Sequence, residues 1–131
     1  IDFLEIFINY QFNILFKNHA RFKITLVNMQ YLLIMFVSID LCLVPIGVGT
    51  SLSPYIKECK KIIEDSNLTH QMGPNGTAIE GDWEDVFKCV KKCHEKIHQK
   101  GAPRIYTTIK VNTRIDKLQR FEDKIKSVLE T

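Results

Sequence analysis

The alternation of apolar and polar residues is sharpest from Phe36 onward. Val37, Ile39, Leu41 and Leu43 share one face, and Ser38, Asp40, Cys42 and Val44 share the other. A period of two predicts a strand with one apolar and one mixed face. The apolar run reaches Pro45, and a glycine-rich turn follows, Gly47-Val48-Gly49-Thr50-Ser51. Ser53 then offers a helix cap with Pro54 at the first helical position, and Tyr55, Ile56, Cys59, Ile62 and Ile63 recur at helical spacing. Asp65-Ser66-Asn67 closes that helix.

Leu68 to Met72 reads as a short strand. Gly73-Pro74-Asn75-Gly76 is a turn signal, and Thr77 to Gly81 reads as the returning strand. Asp82 is placed to cap a second helix, with Asp85 where the partner residue of a capping box would sit. Trp83, Val86, Phe87, Val90, Cys93, His94 and Ile97 trace its apolar side, and Gly101-Ala102-Pro103 ends it. Arg104 to Asn112 alternates again, with Ile105, Thr107, Ile109 and Val111 on one side and Tyr106, Thr108, Lys110 and Asn112 on the other. A final helix is predicted from about Lys117 to Leu129, with Leu118, Phe121, Ile125, Val128 and Leu129 apolar.

The order βαββαβ plus a C-terminal helix predicts an α+β, ferredoxin-like sandwich: a four-stranded antiparallel sheet with two helices on one face. The other face would carry Ser38, Asp40, Cys42, Val44, Ala78, Glu80, Tyr106, Thr108 and Lys110. That mixture is too polar for a core and too apolar for plain surface, so a second copy of the sheet is expected to pack there, giving a homo-oligomer.

Residues 1–34 differ from the rest. They contain neither Gly nor Pro and do not begin with Met; Ile, Phe, Asn, Lys and Tyr supply 19 of them. They are expected to be an N-terminal extension outside the 35–131 domain, with Met29 and Met35 as alternative starts. Phe3, Ile6, Phe7, Tyr10 and Ile14 follow rough helical spacing. Arg21 and Lys23 ahead of Leu32 to Val37 resemble a signal-peptide n-region and h-region. Asp40 interrupts that apolar run, which is short for a membrane span. Under the secretory reading alone, the sequons at Asn67 and Asn75 would matter.

Composition narrows the function classes. The 131 residues suit one domain with a modest core. A net charge of +3, with Lys and Arg interspersed among Asp and Glu, gives no block of charge that marks a nucleic-acid protein. Four cysteines, Cys42, Cys59, Cys89 and Cys93, form no CxxC pair and fall inside predicted elements, where thiols behave as small buried hydrophobes. A reduced, cytoplasmic setting is the expectation.

Several motifs now carry a resemblance. Val44 to Tyr55 is similar to the opening motif of a family of small thiamine-binding proteins. Gly76-Thr77-Ala78-Ile79-Glu80-Gly81, Gly101-Ala102-Pro103-Arg104 and Thr107-Thr108-Ile109-Lys110-Val111 resemble family segments in the same order, as does the pattern Arg114, Asp116, Lys117. The resemblance covers about Phe36 to Glu130, with no counterpart in residues 1–34. The turn Met72 to Gly76 is longer than the family's usual step. The resemblance implies a ferredoxin-like fold, dimers or tetramers joined through sheets, and binding of thiamine or its hydroxymethylpyrimidine portion without catalysis and without a further cofactor.

Thiamine joins a cationic thiazolium to a flat aminopyrimidine, so a binder needs a carboxylate, hydroxyls and an aromatic wall. Asp40 and Glu80 supply carboxylates on the mixed sheet face; Thr50, Ser51 and Ser53 supply loop hydroxyls; Tyr106 and Trp83 are candidate walls. Thr108, Arg114 and Asp116 complete the candidate ligand set. Each has a plainer role open to it: Glu80 paired with Lys110 across the sheet, Ser53 as a cap, Trp83 in the core, Arg114 bridging Asp116 or another subunit. The Cys89/Cys93 and His94/His98 pairs point about 100° apart on a helix, which argues against a metal site. Ser51 lacks a G-x-S-x-G context, the glycine loop lacks a P-loop Lys, and no His is spaced for a triad.

The expected function is therefore non-enzymatic binding of thiamine or a related pyrimidine, in a pocket on the open sheet face near a subunit interface. The rival reading is a structural or regulatory oligomer without a small ligand. No nucleic-acid or membrane partner is expected.

Overall fold

A computed structural model describes residues 35–130. The predicted helix and the signal-like segment before Met35 fall outside those residues. Four strands form one antiparallel sheet: β1 (Phe36–Ile46), β2 (Thr69–Met72), β3 (Thr77–Asp82) and β4 (Arg104–Thr113). Their spatial order is β2-β3-β1-β4, so the first and last strands are neighbours, with β4 at one edge of the sheet and β2 at the other. The helices are α1 (Ser53–Asp65), α2 (Trp83–Gln99) and α3 (Phe121–Leu129). This is the ferredoxin-like α+β arrangement with one added helix.

The period-two face of β1 builds the core as expected. Val37, Ile39, Leu41 and Leu43 are buried beneath α1 and α2 with Ile79, Val86, Val90, Ile97 and Ala102. Each such aliphatic side chain contributes about 1.5–3 kcal/mol by leaving water. Cys59, Cys89 and Cys93 are buried at the α1–α2 contact, and all four cysteines are free thiols. The Cys59 and Cys89 thiols beside it, together with burial, push the Cys93 thiol upward. Trp83 belongs to this layer, stacked on Phe87 at a centroid distance of 4.5 Å, rather than to a ligand site.

Three helix starts differ from the predicted ones. The amides of Tyr55 and Ile56 both donate to the Leu52 carbonyl, so α1 begins at Ser53 and Leu52 occupies the cap position; the Ser53 hydroxyl caps nothing. Asp82 does precede α2, but its side chain makes no cap bond. The Trp83 amide donates instead to Met35 O at 2.8 Å, extending the β1–β3 ladder into the helix start. The last helix begins at Phe121, not Lys117, because Arg120 is extended and the chain from Arg114 is tied differently.

The reason lies at Glu80. Alternation places it on the open sheet face, opposite Ser38 on β1 and Thr69 on β2. It is nonetheless 1% exposed. Its Oε2 accepts the Phe121 amide at 2.8 Å, and its Oε1 accepts from Arg120 at 3.4 Å. Arg120 also lies over the Phe36 ring. The carboxylate thus receives an otherwise unpaired donor at the N-terminus of α3, a favourable charge arrangement, and pins that helix to the sheet. Asp123 accepts the Arg120 amide at 3.0 Å and completes the start. The alternative pairing of Glu80 with Lys110 is excluded by register, since Lys110 lies opposite Asp40.

On the core side, His94 of α2 meets Thr107 of β4 with Nε2 2.9 Å from Oγ1. His98 Nδ1 lies 2.8 Å from the Ala102 carbonyl, at the end of α2. The two histidines therefore serve different contacts, and among the described residues no cluster of metal-ligating side chains forms.

Two outcomes follow from these contacts. Glu80→Ala strands the Phe121 amide and loosens α3, so it should cost about 1–3 kcal/mol in urea unfolding and speed hydrogen exchange in α3 while α2 stays protected. Unchanged exchange in α3 would refute the anchor. Burial, then the nearby His98 charge, lowers the His94 pKa below its ordinary 6.5. The folded state therefore prefers neutral His94. Its contribution is present above pH 6.5 and is lost as pH falls through the depressed folded value. Wild type should lose more stability than His94→Gln between pH 7.5 and 5.5; equal losses would contradict this.

Candidate ligand-binding site

β1 and β3 are unequal partners. β3 pairs with β1 only from Phe36 to Leu41, whereas β4 follows β1 to Ile46. From Cys42 onward β1 therefore has a neighbour on one side alone. Pro45, which lacks a backbone donor, falls in this singly paired part, where a missing ladder bond is tolerated. The result is a notch in the sheet, closed on one side by α1 and on the other by the β2–β3 hairpin.

The notch is a groove of about 590 Å³, within the range of small-ligand sites. Its floor is Leu41 to Val44, with Leu52, Ile56, Cys59 and Ile63 from α1 and its approach, and its far wall is Met72 to Thr77. The hairpin wall is held by the Gly73 amide donating to Gly76 O at 2.7 Å. Thr50, Ser53, Lys57 and Lys60 bring polar groups to the α1 side. Gly47 and Gly49 adopt φ of 85° and 89°, the left-handed conformation that turns the chain from β1 into α1 and delivers Thr50 to the groove. Among the described residues neither the Thr50 nor the Ser53 hydroxyl is engaged in a hydrogen bond.

The other expected site residues are distributed around this groove. Asp40 is exposed, and its carboxylate stands against Gly76: a Cβ added to Gly76 would lie 2.7 Å from Asp40 Oδ1. Asp40 thus borders the hairpin end. Ser51 is exposed and is not among the lining residues. Tyr106 and Thr108 lie on the open sheet face, opposite Val44 and Cys42 respectively. Tyr106 is 62% exposed. Glu80 is enclosed under α3, with both carboxylate oxygens already occupied.

Arg114 and Asp116 bridge each other, as one of the two plainer readings has it. The Arg114 guanidinium donates to both Asp116 oxygens and to Gln119 Oε1 at 2.9 Å. The pair is exposed; Arg114 holds the Asp116 carboxyl below its usual range, and Asp116 raises Arg114 in turn. Together they shape the β4–α3 loop. A small crevice of about 10 Å³ lies there, against Phe36, Ser38 and Asn112, too small for anything beyond a water.

Lys57, Lys60, Met72 and Asn75 line the groove without having been singled out from the sequence. A usable signal was strand length: β1, of eleven residues, faces a returning strand of only six.

Comparison with known proteins places the chain in a family. A profile described as thiamine-binding protein matches residues 39–129. The chain belongs to the thiamine-binding protein family. A UPF0045 protein of Synechocystis sp. is 43% identical over 112 residues, covering 86% of this chain and 93% of that protein. A match over that share is longer than the stretch from Met35 to Thr131 and so reaches upstream of Met35, further than the motifs do. Among solved structures, a Methanocaldococcus jannaschii protein superposes with a TM-score of 0.67 at 27% identity, covering 74% of this chain and 99% of that one. A Thermotoga maritima protein provisionally assigned to thiamine biosynthesis or salvage gives 0.62 at 20% identity, covering 71% and 98%, which supports the fold.

Proposed function

We propose that this family member binds thiamine or a related hydroxymethylpyrimidine reversibly, in the groove between α1 and the β2–β3 hairpin. The observation that supports it is the coincidence of a 590 Å³ cavity with the motif Val44 to Tyr55: this segment, which resembles the family's opening motif, forms one side of the groove and brings Thr50 and Ser53 to it. Apolar residues on the floor offer a surface for a flat heterocycle. The two unengaged hydroxyls offer partners to its amine or ring nitrogens. Asp40, at the hairpin end, offers a counter-charge to a cationic ring.

This differs from a pocket on the open sheet face, because Glu80 there serves α3. The open face retains Tyr106 beside Val44 and Cys42, and that pairing favours a second role: self-association of two chains through their sheets. No step in this reading requires catalysis. The described residues include no helix long and apolar enough to cross a membrane, and the four free thiols suit a reducing, cytoplasmic setting.

Calorimetric titration of the full chain with thiamine should give saturable heat at one site per chain. Replacing Thr50 and Ser53 together by Ala should weaken it by about tenfold, the equivalent of about 1.4 kcal/mol for two neutral hydrogen bonds, with circular dichroism unchanged. Absence of heat from folded wild type would contradict the reading.

A further inference from the structure

The charged residues that line the groove are both cationic. Lys57 and Lys60 stand with Ser53 along one stripe of α1, at positions i, i+4 and i+7, next to the apolar stripe of Ile56, Cys59 and Ile63. No carboxylate is among the lining residues. Lys60 is paired with Glu64 at 2.7 Å, on the next turn. Among the described residues Lys57 has no ion-pair partner, and the first turn of α1 carries no acidic residue to offset it. Asp40 borders the opposite end, against Gly76. The groove is thus polarised: negative at the hairpin, positive along α1.

A bare thiamine satisfies only half of that arrangement. Its positive ring finds Asp40 at one end, but its neutral hydroxyethyl arm leaves Lys57 unanswered at the other, with Lys60 met only by Glu64. We propose that the groove selects a phosphate ester of the heterocycle, with the cationic rings toward Asp40 and the phosphate seated at Lys57 and Lys60 beside the Thr50 and Ser53 hydroxyls. This rests on the groove being the ligand site and specifies which ligand it takes. Lysine serves such a seat as a compact charge with three donors, and the hydroxyls add directional bonds to phosphate oxygens. Because the seat is open to solvent, its contribution is screened by salt.

The test titrates the full chain with thiamine and with thiamine monophosphate, in wild type and in the Lys57→Gln/Lys60→Gln double variant. Wild type should bind the monophosphate at least about tenfold more tightly than thiamine in low salt, with the advantage shrinking at high salt. The double variant should lose that advantage, its monophosphate affinity falling toward that for thiamine. Equal affinities in wild type would overturn the phosphate seat and leave the thiamine site standing. A preference that survives in the double variant, or a folded double variant that loses both ligands equally, would show that the lysines are not the seat. Binding of neither compound to wild type would overturn the ligand site itself and this inference with it.

Discussion

Everything in this fold turns on how β1 is paired. It is the central strand, and it is twice as well paired at its start as at its end. From Val37 to Leu41 it has a neighbour on both sides; from Cys42 to Ile46 it has β4 alone. The doubly paired half carries the core and gives Glu80 a fixed place on the sheet. The singly paired half leaves a gap that α1 and the hairpin border without filling. One strand therefore supplies rigidity at one end and a cavity at the other, and a site placed beside a well-held sheet costs little reorganisation on binding.

The two ends also divide the polar residues between structure and chemistry. At the paired end, Glu80 holds the start of α3 and Arg114 holds Asp116 and Gln119, so these charges serve the chain itself. At the gap, Thr50, Ser53 and Lys57 remain without internal partners among the described residues. Polar groups already satisfied within the fold have little to offer a ligand; unsatisfied ones beside an apolar floor do. That contrast, more than the identity of any residue, is what favours the groove over the sheet face as the proposed place for a heterocycle.

Most of the architecture was legible in the sequence. The alternation at Val37 to Leu43 gave the buried face of β1, the helical spacing at Tyr55 to Ile63 gave α1, and the order of elements gave the sheet. Glu80 shows where that legibility ends. Alternation assigns it to the open face, which is correct, but says nothing of a helix folding back from forty residues downstream to cover it. The cap at Ser53 failed for a local reason, since the Leu52 carbonyl took the first-turn amides. The groove was hidden because it depends on register: no single segment reveals that β3 stops opposite Leu41 while β1 continues. Thr50 and Ser53 were named from the sequence as loop hydroxyls, and both lie on the segment that walls the gap.

The central claim is that the ligand enters the gap beside the singly paired half of β1. Amide chemical-shift mapping of the isotopically labelled chain during a thiamine titration tests it most directly. The account predicts shifts concentrated at Cys42 to Val44, Thr50 to Lys57 and Met72 to Gly76, with the β4 residues Tyr106 to Lys110 much less affected. Saturable shifts centred instead on Tyr106, Thr108 and Lys110, with the hairpin and the start of α1 silent, would contradict it and return the site to the open face of the sheet.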